Sequence, residues 1–236
     1  MKRHRLGQHY MVDQSVIVRV VSLARIGPSD RVLEIGTGKG ALTKELASLG
    51  ASYTGYELDR ANFEETSKAV RGTDARVVLA DAFEERPDFD VLVSSLPYSE
   101  SATFVRWLSG IPFRRAVVVL QEDFVRKITA PPGSRDYRGI SALSQICFEV
   151  KVLGKVPRAS FSPQPRVGSV IASFIPRRRI EEAEATSVIR LFSLRRRRAD
   201  SALAELGMKR RGSFGTRRVN SLDPDEVHAL CASRPQ

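Results

Sequence analysis

The sequence predicts an α/β fold, a mostly parallel sheet with helices followed by a small helical tail, on three observations. Short apolar runs rich in β-branched residues alternate with amphipathic stretches through most of the 236 residues. A glycine-rich turn, Gly36-Thr37-Gly38-Lys39-Gly40, follows an early apolar run. The run Ala116-Val117-Val118-Val119-Leu120 lacks polar alternation, as a strand covered on both faces requires.

The elements follow in order. Arg31 to Ile35 is a first strand, Gly40 to Leu49 a helix, Ser52 to Glu57 a second strand and Arg60 to Val70 a helix with one apolar face, which completes a βαβ unit. Arg76 to Leu79, Phe89 to Ser94 and Arg115 to Leu120 are further strands, with helices expected at Ser101 to Leu108 and Glu122 to Ile128. Thr129 to Asp136 carries turn and breaker residues and is expected to be an exposed loop. A helix at Ile140 to Cys147 precedes two strands, Phe148 to Val156 and Ser169 to Ile175. The loop Pro157 to Gly168 is too short for a helical crossover, so this pair is expected to be antiparallel. After Pro176 the composition turns to Arg, Glu, Ala and Leu, which places a domain boundary there: residues 1–176 form one domain and 177–236 a small basic helical one.

A hydrophobic content of 42% allows a sizeable core, and a formal net charge of +11 attracts polyanions, nucleic acid first among them. Cys147 and Cys231 stand far apart without metal-binding spacing, so neither a disulfide framework nor a zinc site is expected, which fits a reduced cytosol. His4, His9 and His228 are scattered, and no metal is expected. The basic Met1-Lys2-Arg3-His4-Arg5 meets polar Gln8 and Asp13 before an apolar run develops, and no run is long enough to cross a bilayer. The expectation is a cytoplasmic protein without membrane association.

Glycines at 36, 38 and 40 allow a tight turn and close approach of a ligand. The spacing is GxGxG, without the Lys-Ser/Thr of a phosphate-binding loop or the third glycine of a dinucleotide turn, so S-adenosylmethionine is the better ligand. Glu57, at the end of the second strand, can accept from both ribose hydroxyls; the alternative is an acid serving a helix N-terminus. Asp81 is placed to accept from the cofactor's adenine amine, or else caps a turn.

Ser95-Leu96-Pro97-Tyr98, after Val91 to Ser94, resembles the Asx/Ser-x-Pro-aromatic motif of amino-methyltransferases. Adenine N6 is a weak nucleophile because its lone pair is delocalised into the ring. Acceptors for its two hydrogens and a stacked aromatic are needed to orient it. The resemblance assigns these roles to Ser95, a carbonyl of Leu96 or Pro97, and Tyr98.

With these motifs the chain resembles the rRNA adenine N6-dimethyltransferase family, small-subunit dimethyladenosine transferases and erythromycin-resistance methylases among them. Leu6-Gly7-Gln8-His9-Tyr10-Met11 is similar to the family's GQxFL opening, which closes over the cofactor. Leu120-Gln121-Glu122 follows in family order, and Phe161-Ser162-Pro163-Gln164-Pro165-Arg166-Val167 is similar to its FxPxPxV loop. The resemblance implies a class I S-adenosylmethionine-dependent methyltransferase with a Rossmann-like seven-stranded sheet ending in an antiparallel hairpin. It implies a cofactor site of His9, Met11, Gly36, Gly38, Gly40, Glu57, Leu58, Asp81, Ala82 and Ser95, with Phe161 as second stacking partner of the target base or as a loop anchor. The chain departs from the family at Ser95 and His9, where Asn is usual, and at Thr37, where Pro is usual.

Arg195-Arg196-Arg197-Arg198, Lys209-Arg210-Arg211 and Arg217-Arg218 concentrate charge in the tail and are expected to contact RNA phosphates. The expectation is a monomer that methylates N6 of adenine in ribosomal RNA, either free or in an assembling small subunit. Methylation of another amine, in DNA or protein, and a weakly catalytic ribosome-assembly factor are the alternatives.

Overall fold

The computed structural model describes residues 9–208 and 214–232, so Lys209, Arg210 and Arg211 lie outside the described residues. The chain forms two compact units. One comprises residues up to Thr103 with Pro112–Asp123 and Lys151–Ile175; the other comprises Phe104–Ile111, Phe124–Val150 and the chain from Pro176 onward.

The first unit is organised by β2 (Arg31–Ile35), β3 (Ser52–Glu57), β4 (Arg76–Leu79), β5 (Val91–Ser95), β6 (Arg115–Gln121) and β9 (Ser169–Pro176). With β7 (Phe148–Val156) they make a seven-stranded sheet in the order β4-β3-β2-β5-β6-β9-β7. The β4-β3-β2-β5-β6 segment is parallel, and β9 runs antiparallel to β6 with Val118 opposite Ala172. Parallel strands buried on both faces explain the unbroken apolar runs: Val91, Leu92, Val93 and Ala116 through Leu120 are all buried. The order places the carboxyl ends of β2, β3, β4 and β5 along one edge, where a doubly wound sheet binds ligands. Helices α2 (Ala41–Ala47), α3 (Arg60–Ala69), α4 (Ser101–Leu108) and α5 (Glu122–Ile128) lie where the sequence expected helices.

Two elements in this unit were not assigned from the sequence. A second, two-stranded sheet pairs β1 (Tyr10–Met11) with β8 (Phe161–Ser162). Helix α1 (Gln14–Ala24) follows β1, with Asp13 Oδ1 accepting from the Ser15 and Val16 N–H groups as its N-cap. Val16, Ile17, Val20, Val21 and Ala24 make its buried stripe, in the same core cluster as Tyr53, Val93, Val119 and Ile171.

In the second unit, α6 (Gly139–Cys147), α7 (Glu182–Ser193) and α9 (Pro224–Cys231) pack on one another around Leu143, Val188, Leu191, Phe192 and Val227. Helix α8 (Ala199–Glu205) follows the arginine-rich turn. Residues 129–136 form neither helix nor strand, as expected, and Gly133 N–H donates to Asn220 O at 2.7 Å. Among the described residues no helix is long and apolar enough to cross a membrane, and no group of His, Cys, Asp or Glu could hold a metal ion.

Candidate active site

The turn after β2 is built on left-handed glycines, with φ of 73° at Gly36 and 53° at Gly38. The Gly36 and Thr37 N–H groups donate to Tyr56 O at 2.8 and 3.2 Å, fastening the turn to β3. A Cβ on Gly38 would lie 3.2 Å from the Tyr10 ring, whereas one on Gly36 would meet nothing within 4 Å. Tyr10 lies over the turn, with Lys39 Nζ 5.0 Å from its ring centroid. Gly40 does not border the cavity: it is the left-handed residue starting α2, against Thr66.

Glu57 ends β3 and is buried. Its Oε2 accepts from Gly38 N–H at 2.7 Å, and its Oε1 from the Leu58 and Asp59 N–H groups at 2.8 and 2.9 Å. The α3 cap is Asp59, not Glu57, with Oδ1 accepting from Asn62 N–H at 3.0 Å. Asp81, after β4, accepts from Phe83 N–H at 2.9 Å. Leu58 is 49% exposed and Ala82 is buried.

Strand β5 delivers Ser95 to the same edge. Leu96 is buried, Pro97 is extended, and Tyr98 opens a short 3-10 turn in which Pro97 O accepts from Glu100 N–H at 2.9 Å. Among the described residues no hydrogen bond engages Leu96 O or the Ser95 hydroxyl. The Tyr98 hydroxyl lies 2.5 Å from Ser169 Oγ. Its ring centroid is 5.7 Å from that of His9, which donates from Nδ1 to Pro163 O at 2.7 Å.

These pieces border one cavity of about 660 Å³: the glycine turn at Gly36 and Gly38, the acids Glu57 and Asp81 with Leu58 and Ala82, the Ser95–Tyr98 corner, His9 and Met11, and Phe161. Phe161 is only 3% exposed, opposite Met11 in the β1–β8 pair, and belongs to the core as well as to the cavity wall. Arg195 to Arg198 form the turn between α7 and α8 in the other unit.

The sequence reading gave no role to Glu34, Tyr53 or Ser169. Glu34, on β2, borders the cavity while almost wholly buried, and its Oε2 accepts from the Tyr53 hydroxyl at 2.5 Å and from Thr43 Oγ1 at 2.8 Å. Burial pushes its pKa up to about 8 against these hydrogen bonds, and the nearby Glu57 charge adds to the rise. A lone acid inside the apolar run Arg31 to Ile35 was the available signal. Ser169 offered none, because its partner is 71 positions away.

Residues 1–224 match the family "Ribosomal RNA adenine dimethylase". A "Probable ribosomal RNA small subunit methyltransferase A" of Pyrococcus abyssi (strain GE5 / Orsay) is 32% identical, over 96% of this chain and 89% of its own. Its counterpart in Pyrococcus furiosus is 30% identical, over 97% and 90%. The crystal structure of the 23S rRNA methyltransferase ErmE matches with a TM-score of 0.69 and 27% identity over 94% of this chain and 98% of its own. A dimethyladenosine transferase from Plasmodium falciparum shares the fold, with a TM-score of 0.76 and 24% identity over 94% and 96%. With a matching family over nearly its whole length and the motif corners on one cavity, the chain belongs to the ribosomal RNA adenine dimethylase family and is an S-adenosylmethionine-dependent rRNA adenine methyltransferase.

Proposed function

We propose that this cavity holds S-adenosylmethionine beside an adenine of small-subunit ribosomal RNA and that the enzyme methylates that adenine at N6, up to the dimethyl form, as a cytoplasmic monomer. The observation that carries the reading is that the glycine turn and the Ser95–Tyr98 corner border a common cavity.

The donor set fits the cofactor. Gly36 leaves open space where a side chain would stand, and Thr37 Oγ1 is buried without a hydrogen-bond partner. Glu57 and Asp81 supply acceptors beside apolar Leu58 and Ala82. Glu57 receives the ribose hydroxyls while its three backbone hydrogen bonds hold it oriented, and Asp81 accepts from the adenine amine. Gly36, Gly38 and Gly40 shape the turn, and His9 and Met11 cover it. When bound, the cofactor supplies an electrophilic methyl group on a sulfonium.

The protein's part is orientation. Ser95 Oγ and Leu96 O accept from the two N6 hydrogens, which directs the nitrogen lone pair out of the base plane. Pro97 O is already bonded to Glu100 N–H, so Leu96 O is the carbonyl better placed to serve. Tyr98 stacks on the base, and Phe161 limits the slot from the core side. The chain from residue 177 onward, with its arginine-rich turn, contributes the RNA-facing surface.

The test is methyl transfer from labelled cofactor to purified small and large ribosomal RNA, with dimethyladenosine detected by mass after digestion. Labelling of small-subunit RNA, lost in Tyr98→Ala and retained or raised in Ser95→Asn, is the expected result. Labelling of DNA or protein instead, or tight RNA binding without transfer at saturating cofactor, would overturn the reading.

A further inference from the structure

Among its described residues the second unit holds a set of arginines without counter-charges. Residues 197–199 and 217–219 lie side by side: Ala199 N–H donates to Arg217 O at 2.9 Å and Val219 N–H to Arg197 O at 3.1 Å, with Arg198 directly opposite Arg218 in an antiparallel bridge. Their neighbours are neutralised. Arg197 pairs with Glu205 at 2.8 Å, and Arg217 holds Glu226 through both terminal nitrogens, at 2.5 and 2.7 Å. Arg198 and Arg218 are exposed, and no carboxylate among the described residues pairs with either. Like charges opposite each other across a strand pair repel, so the fold carries an uncompensated cost at this point.

A second group adjoins the first. Gly139 approaches α7 so closely that a Cβ would stand 3.2 Å from Ile189 Cα and from Phe192 Cβ, and the Tyr137 ring meets the Phe192 ring edge-on at 5.3 Å. Arg138, between Tyr137 and Gly139, is thereby set beside Arg195, which lies about one turn beyond Phe192. Partial burial and the charges of Arg138 and Arg196 lower the Arg195 pKa. The two groups are tied together by backbone, because Asn220 N–H donates to Arg195 O at 3.0 Å and Gly133 N–H to Asn220 O at 2.7 Å.

We propose that Arg138, Arg195, Arg196, Arg198 and Arg218 form a track that grips the RNA phosphate backbone, and that the ion-paired Arg178, Arg197 and Arg217 serve the fold instead. The proposal rests on the RNA-substrate reading above and sorts the basic residues by what each already holds. A planar guanidinium matches a phosphate with two parallel hydrogen bonds, and each phosphate bound removes the repulsion and releases counterions. The chain's net charge of +11 favours a polyanion as partner. Arg138 enters the track although it lies outside the arginine run.

The experiment measures binding of purified small-subunit ribosomal RNA over a potassium chloride series. Arg198→Gln/Arg218→Gln and Arg138→Gln/Arg195→Gln are compared with Arg178→Gln/Arg217→Gln, which removes the same formal charge from side chains held by Asp225 and Glu226. The two track pairs are expected to weaken binding by about tenfold or more and to flatten the plot of log K against log salt by about two units, against little change in the ion-paired control. Equal losses in all three pairs, no loss in the track pairs, or polyglutamate bound as tightly as RNA would overturn the proposal. Calorimetric titration of the wild type with S-adenosylmethionine reports separately on the active-site reading, since none of these arginines borders the cavity.

Discussion

The Tyr98 and Ser169 hydroxyls, 71 positions apart in the chain, lie 2.5 Å from each other, joining the corner after β5 to the first residue of β9. Ser169 is buried opposite Gln121 in the β6–β9 ladder, so it gives the tyrosine a fixed anchor. The bond restrains how the ring presents its face to the cavity. Ser169→Ala is expected to lower kcat for methyl transfer by roughly threefold to tenfold, with the cofactor Kd unchanged, from the loss of one neutral hydrogen bond. Adding Tyr98→Phe should cost little more than either change alone, and additive losses in that double-mutant cycle would sink the coupling.

The Glu57 carboxylate accepts from three backbone N–H groups, and one of them belongs to Gly38 in the opposite turn. A carboxamide offers a single acceptor oxygen and would aim its amide hydrogens at one of these donors. Glu57→Gln is therefore expected to weaken S-adenosylmethionine binding by about tenfold or more, by calorimetry, and to loosen the turn itself. Unchanged affinity would remove Glu57 from the site.

Gly55, on β3, shows why a residue without a side chain stands behind the turn. A Cβ there would collide with the Tyr53 hydroxyl and come within 2.6 Å of Thr37 Cγ2. Gly55→Ala is expected to destabilise the protein by about 1–3 kcal/mol in denaturant titration. Tyr53→Phe in the same chain should recover part of that loss, because it removes the colliding oxygen.

The raised Glu34 pKa predicts a pH dependence of stability. The native state keeps this carboxyl protonated up to about pH 8, while an unfolded chain releases the proton near 4.5. Between those values the native state binds more protons, so the stabilisation is complete below about 4.5 and is lost as pH rises toward 8. Glu34→Gln, neutral at every pH, should flatten that part of the Tm profile relative to the wild type. A parallel pair of profiles would contradict the assignment.

Strand positions were legible because burial on both faces leaves uninterrupted apolar runs, and the ligand turn was legible because Gly36 and Gly38 adopt backbone angles that other residues resist. Ser95 to Tyr98 was legible as a corner of the chain. Helix α1 was not, since Val16, Ile17, Val18, Val20 and Val21 are β-branched and read as strand material. Its Asp13 cap is further fixed by Ser160 Oγ, 147 positions away. Phe161 was expected as a stacking partner or a loop anchor, and its place in the core depends on pairing with a strand that four residues of local pattern cannot announce. Which arginines are spent on acids was equally hidden, because Arg217 meets Glu226 only once α9 has packed.

The pairing of β1 with β8 has a bearing on biosynthesis. His9 and Pro163 are joined by a hydrogen bond across 154 positions of sequence, so the amino-terminal strand leaves the ribosome long before the segment it must hold. A nascent chain stopped short of Ser160 would carry the glycine turn and the tyrosine corner with one wall missing. Contacts of this separation form late. The expected sign is that stalled chains of that length leave Tyr10 open to protease, whereas chains extended past Gly168 protect it.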